Sequence, residues 1–261
     1  MRDFAPEFAR NDKGWILFPP DTAAREGVFP VEVNSHPAKA NLHLVQAIVE
    51  YVSEPNDCLM DIMAGTGTLL YGVLMGRRVV CIEISQKFFK LIQQGAANIE
   101  RIAPGSENMI TLINQPCQNV LPIVVDHIVF SPPYAQIMKS KGKDKLTLEK
   151  TDYDMSEYTQ DPMNVGQVNE FIYHHMMERI YKLCYDSLLP GGTLTIIIKD
   201  HYKDRKRVEI TGRAVRDCEK MGFEVFNWAK WAAPGSVYSH IYKARGWDTC
   251  EDEDIVSMKK K

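Results

Sequence analysis

The sequence has few of the features that mark secreted, membrane or metal-binding proteins. Its six cysteines are scattered along 261 residues, with no CxxC pair and no histidine–cysteine cluster at the spacing of a zinc site. No apolar run approaches the roughly 20 residues that span a bilayer, and the first residues lack the apolar core of a signal peptide. We therefore expect a cytoplasmic protein with free thiols that binds neither a membrane nor a metal ion.

An excess of positive charge is also missing. Lysine and arginine number 31 against 34 acidic residues, which gives a formal net charge of -3. This balance argues against a protein that binds polyanions by bulk charge, but it permits a local basic groove. The composition, 45% apolar and 25% charged, is typical of a globular protein.

Helix and strand patterns alternate from residue 41 onward, where an amphipathic helix begins at Asn41. The predicted strands cover residues 58–63, 79–84, 109–114, 128–130 and 193–199. Further helices are predicted at residues 69–75, 85–102, 168–188 and 212–221, and a closing hairpin at residues 223–232 and 238–245. Such alternation predicts one open, mostly parallel sheet with helices on both faces, whose ligands lie beyond the carboxyl ends of the strands.

The chain divides into three predicted regions. Residues 1–36, punctuated by proline, form an irregular N-terminal arm. Residues 37–250 form a single domain, in which the polar stretch 135–166 is an insertion. Residues 251–261, acidic and then basic, form a charged tail that frays.

The turn after the first strand has the character of a cofactor loop. It reads Asp61-Ile-Met-Ala-Gly-Thr-Gly-Thr68, and its two glycines allow a tight turn close to a ligand. Glu83 ends the second strand, where a carboxylate can accept both hydroxyls of a ribose. The dinucleotide fingerprint is broken, because Leu70 stands where its third glycine belongs. The Asp61 carboxylate suits an ammonium group better than a pyrophosphate, and S-adenosylmethionine offers an ammonium, a ribose diol and no phosphate.

The end of the fourth strand carries the strongest chemical signal, Ser131-Pro132-Pro133-Tyr134. Two prolines remove two backbone donors, so nearby carbonyls stay free to accept from a ligand. The Ser131 hydroxyl and the Pro132 carbonyl can accept the two N–H bonds of an exocyclic amine, and Tyr134 can stack on a base taken out of its helix. The set predicts methylation of an amino group on a planar base.

These motifs resemble the S-adenosylmethionine-dependent DNA amino-methyltransferases, which make N4-methylcytosine or N6-methyladenine. The resemblance runs from about Phe29 to Trp247, and the order of the motifs, with the His36–Lys39 segment first, is similar to the γ arrangement. It implies a Rossmann-like class I methyltransferase fold, with a mostly parallel seven-stranded sheet and a C-terminal antiparallel hairpin. By family habit, serine at position 131 favours cytosine N4 over adenine N6.

The resemblance also implies the residues of the site. The catalytic motif maps to Ser131, Pro132, Pro133 and Tyr134. The expected contacts to S-adenosyl-L-methionine are His36, Lys39, Asp61, Met63, Ala64, Gly65, Thr66, Gly67, Thr68, Glu83, Ile84 and Gln115. No metal ligand is expected.

DNA is the implied partner, but there is no room for a separate target-recognition domain. Its contacts must then come from the 135–166 insertion and from the basic segment after the fifth strand. The expected phosphate contacts are Lys139, Lys141, Lys143, Lys145, Lys203, Arg205, Lys206 and Arg207. A restriction endonuclease partner and the oligomeric state stay open. Three alternatives also stay open: an RNA amino-methyltransferase, a catalytically inactive binding module and a nicotinamide-dependent reductase.

Overall fold

A seven-stranded sheet organises the protein in the computed structural model, which describes residues 3–35, 39–133, 161–203, 205–233 and 243–261. Its strands are β1 Cys58–Asp61, β2 Arg78–Ile82, β3 Ile110–Ile113, β4 Val125–Phe130, β5 Leu188–Ile198, β8 Phe223–Ala232 and β9 Asp252–Lys260. They are ordered β3-β2-β1-β4-β5-β9-β8 across the sheet. Two short strands after β5, β6 His201–Lys203 and β7 Lys206–Val208, form a separate antiparallel hairpin.

The first five strands of the sheet pair in parallel. Strand β9 runs antiparallel between β5 and β8, so β8 points the same way as the first five. The prediction of a mostly parallel seven-stranded sheet with an antiparallel C-terminal pair is confirmed.

Helices cover both faces of the sheet. The α-helices are α1 Thr22–Arg25, α2 Leu42–Val52, α3 Gln86–Ile102, α4 Cys117–Val120, α5 Glu170–Ser187 and α6 Ile210–Lys220. Short 3-10 helices lie at Val31–Ser35, Thr68–Met75, Ser106–Met109 and Val165–Gln167. In the part of the chain that the structure describes, no helix is long and apolar enough to cross a membrane.

Two hydrophobic cores form because neighbouring residues of a strand point to opposite faces. In β1, Leu59 packs with α2, α3 and the N-terminal segment, whereas Met60 packs with α5 and α6. Both side chains are fully buried. Central parallel strands are therefore apolar on both faces, which explains their continuous apolar pattern in the sequence.

Helix α2 begins where the sequence predicts it. The Asn41 side chain accepts hydrogen bonds from the backbone amides of His43 and Leu44, at 2.9 and 3.2 Å, and so caps the first turn. One face of the helix carries the buried residues Leu42, Val45, Ile48 and Val49. The capped end of α2 faces the carboxyl edge of the sheet, beside the loop that follows β1.

The C-terminal segment differs from the prediction. Residues 252–260 are not a frayed tail but strand β9, and β8 pairs with this strand. Of the predicted partner of β8, residues 238–245, positions 238–242 lie outside the described residues. The acidic residues of this segment predict a solvent-exposed tail, but each has a partner in the fold. Lys230 forms ion pairs with Asp252 and Asp254, and the Trp231 indole donates to Glu253 at 2.8 Å. Charges paired in this way can enter a sheet.

Substitution of Ile255 tests the placement of β9. Ile255 is fully buried, so Ile255→Ala is expected to lower the free energy of unfolding by about 2–5 kcal/mol. Ile102, which is 52% exposed, offers the same substitution at the surface, where a change within about 0.5 kcal/mol is expected. Urea unfolding of both variants gives the comparison. Equal, small losses at the two positions would mean that residues 252–260 lie outside the core.

Candidate active site

Four connecting segments meet at the carboxyl edge of the sheet and enclose one cavity. Asp61 ends β1, Glu83 follows β2, Pro116 follows β3, and Ser131 follows β4. The parallel register aligns these strand ends, for example Asp61 beside Cys81. The cavity lies where ligands bind in sheets of this kind.

The loop after β1 keeps its shape through two glycines with left-handed backbone angles. Gly65 has a φ of 54° and Gly67 a φ of 78°, a region that other residues rarely adopt. A Cβ on Gly67 would lie 3.0 Å from the Ile92 side chain of α3. The amide of Gly65 donates to a Glu83 carboxylate oxygen at 2.7 Å, which ties the loop to the end of β2.

The two carboxyl groups of the cavity have raised pKa values. Burial raises the pKa of Glu83 to about 7, although the amides of Gly65 and Ser85 each donate to its carboxylate at 2.7 Å. Burial likewise raises the pKa of Asp61 to about 7, and the negative charge of Glu83 adds to this effect. Among the described residues no cation pairs with either carboxylate, so a positively charged ligand would stabilise their anionic forms.

A cation, Lys39, also lines the cavity. Lys39 lies just before α2, and its ammonium group donates to the backbone carbonyl of Asn34 at 3.3 Å. The pKa of Lys39 is lowered, mainly by burial. The positive charge of Arg25 also lowers this pKa, and the negative charge of Asp21 opposes both effects. The cavity therefore offers negative groups at one place and a positive group at another, which suits a zwitterionic ligand.

Most of the predicted cofactor residues lie together around this cavity. Those that line it are Lys39, Asp61, Met63, Ala64, Gly65, Thr66, Thr68, Glu83 and Ile84. Gly67 shapes the loop without lining the cavity. Gln115 is exposed and does not line the cavity, whereas its neighbours Pro116, Cys117 and Gln118 do. The Asn114 amide donates to the backbone carbonyl of Glu83 at 2.7 Å.

The described part of the predicted catalytic motif lies at the β4 end of the same cavity. Ser131, Pro132 and Pro133 line it, and Pro132 is buried. Tyr134, His36, Lys139, Lys141, Lys143 and Lys145 lie outside the described residues.

Several lining residues are not among the predicted cofactor or catalytic residues. Met163, Asn164 and Val165 come from the end of the predicted insertion and line the cavity. The Gln118 amide donates to the Met163 carbonyl at 3.1 Å and joins this segment to the β3 end. Small or apolar residues also line the wall, namely Ala40, Ile62 and Leu69. From the sequence, their small or apolar side chains predict only that they belong to the hydrophobic core.

The basic segment after β5 divides into two kinds of residue. Arg207 donates to Asp200 at 2.9 Å and lies 3.6 Å from Asp252, so its charge is compensated. Arg205 and Lys206 are exposed, and the Arg205 guanidinium lies 5.2 Å from the centre of the Trp247 ring. Within the described ranges, no group of three or more histidine, cysteine or acidic side chains is arranged to hold a metal ion.

The raised pKa of Glu83 predicts how stability changes with pH. A carboxyl with a folded-state pKa of about 7 and an ordinary unfolded value near 4.5 holds an extra proton in the folded protein between these values. The ligand-free protein should therefore gain stability as pH falls from about 8 to 5, with Glu83 contributing on the order of 3 kcal/mol. Urea unfolding at several pH values should show that Glu83→Gln reduces this gain.

Glu100 provides the matched control for that measurement. It is an exposed carboxylate that also accepts backbone amides, from Gly105 and Glu107, and these hydrogen bonds lower its pKa to about 2. Because Glu100 is mostly ionised in both the folded and the unfolded state from pH 5 to 8, Glu100→Gln should change the pH dependence of the unfolding free energy very little. If the unfolding free energy of wild type and of Glu83→Gln depended on pH with the same slope, the assignment of Glu83 as a buried, uncompensated acid would be contradicted.

Solved structures similar in fold to this chain share little sequence identity with it. TrmN from Thermus thermophilus is 12% identical over 88% of this chain, with a TM-score of 0.51, and the chain spans only 52% of that protein. A methyltransferase from Pyrococcus furiosus is 15% identical over 86% of each chain, with a TM-score of 0.50. A SAM-dependent methyltransferase from Methanosarcina mazei is 12% identical, over 82% of this chain and 96% of its own, with a TM-score of 0.51. These similarities show the fold.

Sequence comparison gives the family. No curated protein matches the chain significantly. A sequence profile for the N6/N4 methyltransferases, described as DNA methylase, matches residues 10–94 and 125–258. These segments contain the glycine loop, Glu83 and the Ser131–Tyr134 motif, and the cofactor of the family is S-adenosyl-L-methionine. The chain therefore belongs to the DNA methylase family of amino-methyltransferases, which act on cytosine N4 or adenine N6.

Proposed function

We propose that this protein methylates the exocyclic amino group of a base in DNA, with cytosine N4 as the favoured position. The observation that carries the proposal is the single cavity that joins Asp61 and Glu83 to the Ser131–Pro133 segment. A cofactor held by the two acidic residues would present its reactive group toward the proline pair. Serine at position 131 supports cytosine over adenine, by resemblance to the family.

The charges of the cavity fit S-adenosyl-L-methionine. Asp61 would accept from its ammonium group, Lys39 would pair with its carboxylate, and Glu83 would accept from its ribose hydroxyls. Pro116 and Gln118 offer an apolar surface and an amide to the adenine. When bound, this cofactor supplies a methyl group on a cationic sulfur. The remaining proposed contacts are Met63, Ala64, Gly65, Thr66, Thr68 and Ile84, which form the wall between these groups.

The protein's own part in the reaction is to orient the amine and exclude water. Ser131 Oγ and the Pro132 carbonyl would accept the two N–H bonds, which aims the nitrogen lone pair toward the methyl group. Pro132 and Pro133 carry no amide hydrogen that would compete for these acceptors. Tyr134 would stack on the extruded base. No strong base is required, because the nitrogen loses its proton once it is methylated.

Contacts to the DNA backbone are assigned to lysine and arginine residues of the predicted insertion and of the segment after β5. Arg205 and Lys206 in the β6–β7 hairpin have exposed side chains, and we add Lys203 together with Lys139, Lys141, Lys143 and Lys145. Arg207 is better explained as part of the fold, since Asp200 and Asp252 compensate its charge. Each phosphate contact would steepen the salt dependence of DNA binding.

The reaction is tested with methyl-deuterated S-adenosylmethionine. The purified protein is incubated with mixed-sequence double- and single-stranded DNA, and nucleosides are analysed by mass spectrometry. Labelled N4-methylcytosine is the expected product, and labelled N6-methyladenine would move the assignment to adenine. No label in DNA, with cofactor binding confirmed, would contradict the proposed substrate, and structured RNA would be the next substrate to assay.

The roles within the site are tested by a double substitution. Pro132→Ala with Tyr134→Ala should abolish methylation, because both the acceptor geometry and the stacking surface for the base are lost. Cofactor affinity, measured by titration calorimetry, should change by less than about threefold, since these residues are assigned to the base. A loss of cofactor binding in this variant would show that the roles are misassigned.

A further inference from the structure

A buried ion pair lies directly behind the cofactor cavity. The Arg25 side chain is 1% exposed, and its Nε donates to Asp21 at 2.7 Å. The same Asp21 oxygen accepts the backbone amide of Leu42 at 2.8 Å, at the start of α2. Burial of two charges is costly, so this pair requires a reason beyond stability.

The remaining donors of Arg25 reach two residues of the cavity wall. Its Nη2 donates to the backbone carbonyl of Ala40 at 2.5 Å, and its Nη1 donates to the Thr68 hydroxyl at 3.3 Å. Ala40 and Thr68 both line the cavity, whereas Arg25 is behind them. Its guanidinium also lies 5.3 Å from the centre of the Phe29 ring. One planar group therefore joins the segment before α2 to the end of the glycine loop.

We infer that Arg25, anchored by Asp21, is a positioning residue for the part of the cavity that holds the methionine end of the cofactor. It sets the distance between the Lys39–Ala40 segment and the Asp61–Thr68 loop. The inference rests on the proposed placement of the cofactor, with its ammonium at Asp61 and its carboxylate at Lys39, and does not depend on the nucleic acid substrate.

A second buried arginine provides a matched control. Arg77 donates to the Ser53 hydroxyl and carbonyl, at 3.2 and 2.8 Å, and to the Met75 carbonyl at 2.6 Å. Ser53 follows the last residue of α2, and Met75 ends the helix that Thr68 begins. Arg25 and Arg77 thus join the same two helices at opposite ends, and only the Arg25 end forms the cavity.

The experiment compares Arg25→Lys with Arg77→Lys and uses two ligands. Lysine keeps the charge but lacks the planar fork that reaches several acceptors at once. S-adenosylmethionine and 5′-methylthioadenosine are each titrated by calorimetry, because the second ligand lacks the amino-acid part. Arg25→Lys should raise the Kd for S-adenosylmethionine by about tenfold or more, and the Kd for 5′-methylthioadenosine by less than about threefold. Arg77→Lys should change both values by less than about threefold.

Thermal unfolding of the two variants separates positioning from general destabilisation. The inference is supported if Tm falls by a similar amount in Arg25→Lys and Arg77→Lys while only Arg25→Lys binds S-adenosylmethionine more weakly. Equal weakening of both ligands in Arg25→Lys, or the same S-adenosylmethionine Kd in the two variants, would overturn it. Failure of wild type to bind S-adenosylmethionine would instead count against the cofactor assignment.

Asp21→Asn tests the anchor with a smaller change and serves if Arg25→Lys does not fold. It keeps an oxygen for the Leu42 amide and removes the negative charge that holds Arg25. We expect a Kd for S-adenosylmethionine about three- to tenfold higher, with 5′-methylthioadenosine binding unchanged. Unchanged S-adenosylmethionine binding in a folded Asp21→Asn protein with a lowered Tm would show that the pair is structural only.

Discussion

The hydrogen bond from the Gly65 amide to the Glu83 carboxylate fixes the geometry on which the site depends. It joins the loop after β1 to the end of β2 and holds the glycine turn against α3, where a Cβ at position 67 would lie only 3.0 Å from the Ile92 side chain. The same contact keeps Glu83 inside the cavity, near Asp61. The site thereby holds two acids that pair with no cation in the part of the chain that the structure describes, and this unfavourable arrangement in the ligand-free protein favours a ligand that carries positive charge.

The N-terminal segment is as much a part of the site as the sheet. Its Arg25 reaches Ala40 and Thr68 on the cavity wall, while Ile16 exchanges backbone hydrogen bonds with β8 at the far edge of the sheet. Phe29 and Val33 are buried in the core formed with α2 and α3. A region with only two short helices among its described residues therefore connects the outer edge of the sheet to the cofactor loop.

Much of this architecture follows from patterns in the sequence, and the exceptions have physical reasons. The apolar periodicity predicts the start of α2 within one residue, and the rule that ligands lie at strand ends places Asp61, Glu83 and Ser131 around one cavity. Strand β9 is not predicted from the sequence, because its acidic residues obtain partners, such as Lys230, only through tertiary contacts. Met163 and Gln118 are not predicted as site residues for a related reason, since the hydrogen bond that brings them together joins residues 45 positions apart.

The position of β9 has a consequence for synthesis of the protein. This strand lies between β5 and β8 and supplies hydrogen bonds to both, yet it is the last strand of the sheet to leave the ribosome. Until then, β5 and β8 have no common neighbour, and each presents an unpaired edge to other nascent chains. The half of the sheet that holds Asp61, Glu83 and Ser131 is complete earlier. A chain interrupted before residue 252 would thus retain the glycine loop after β1 and the Ser131–Pro133 segment on an open, association-prone sheet.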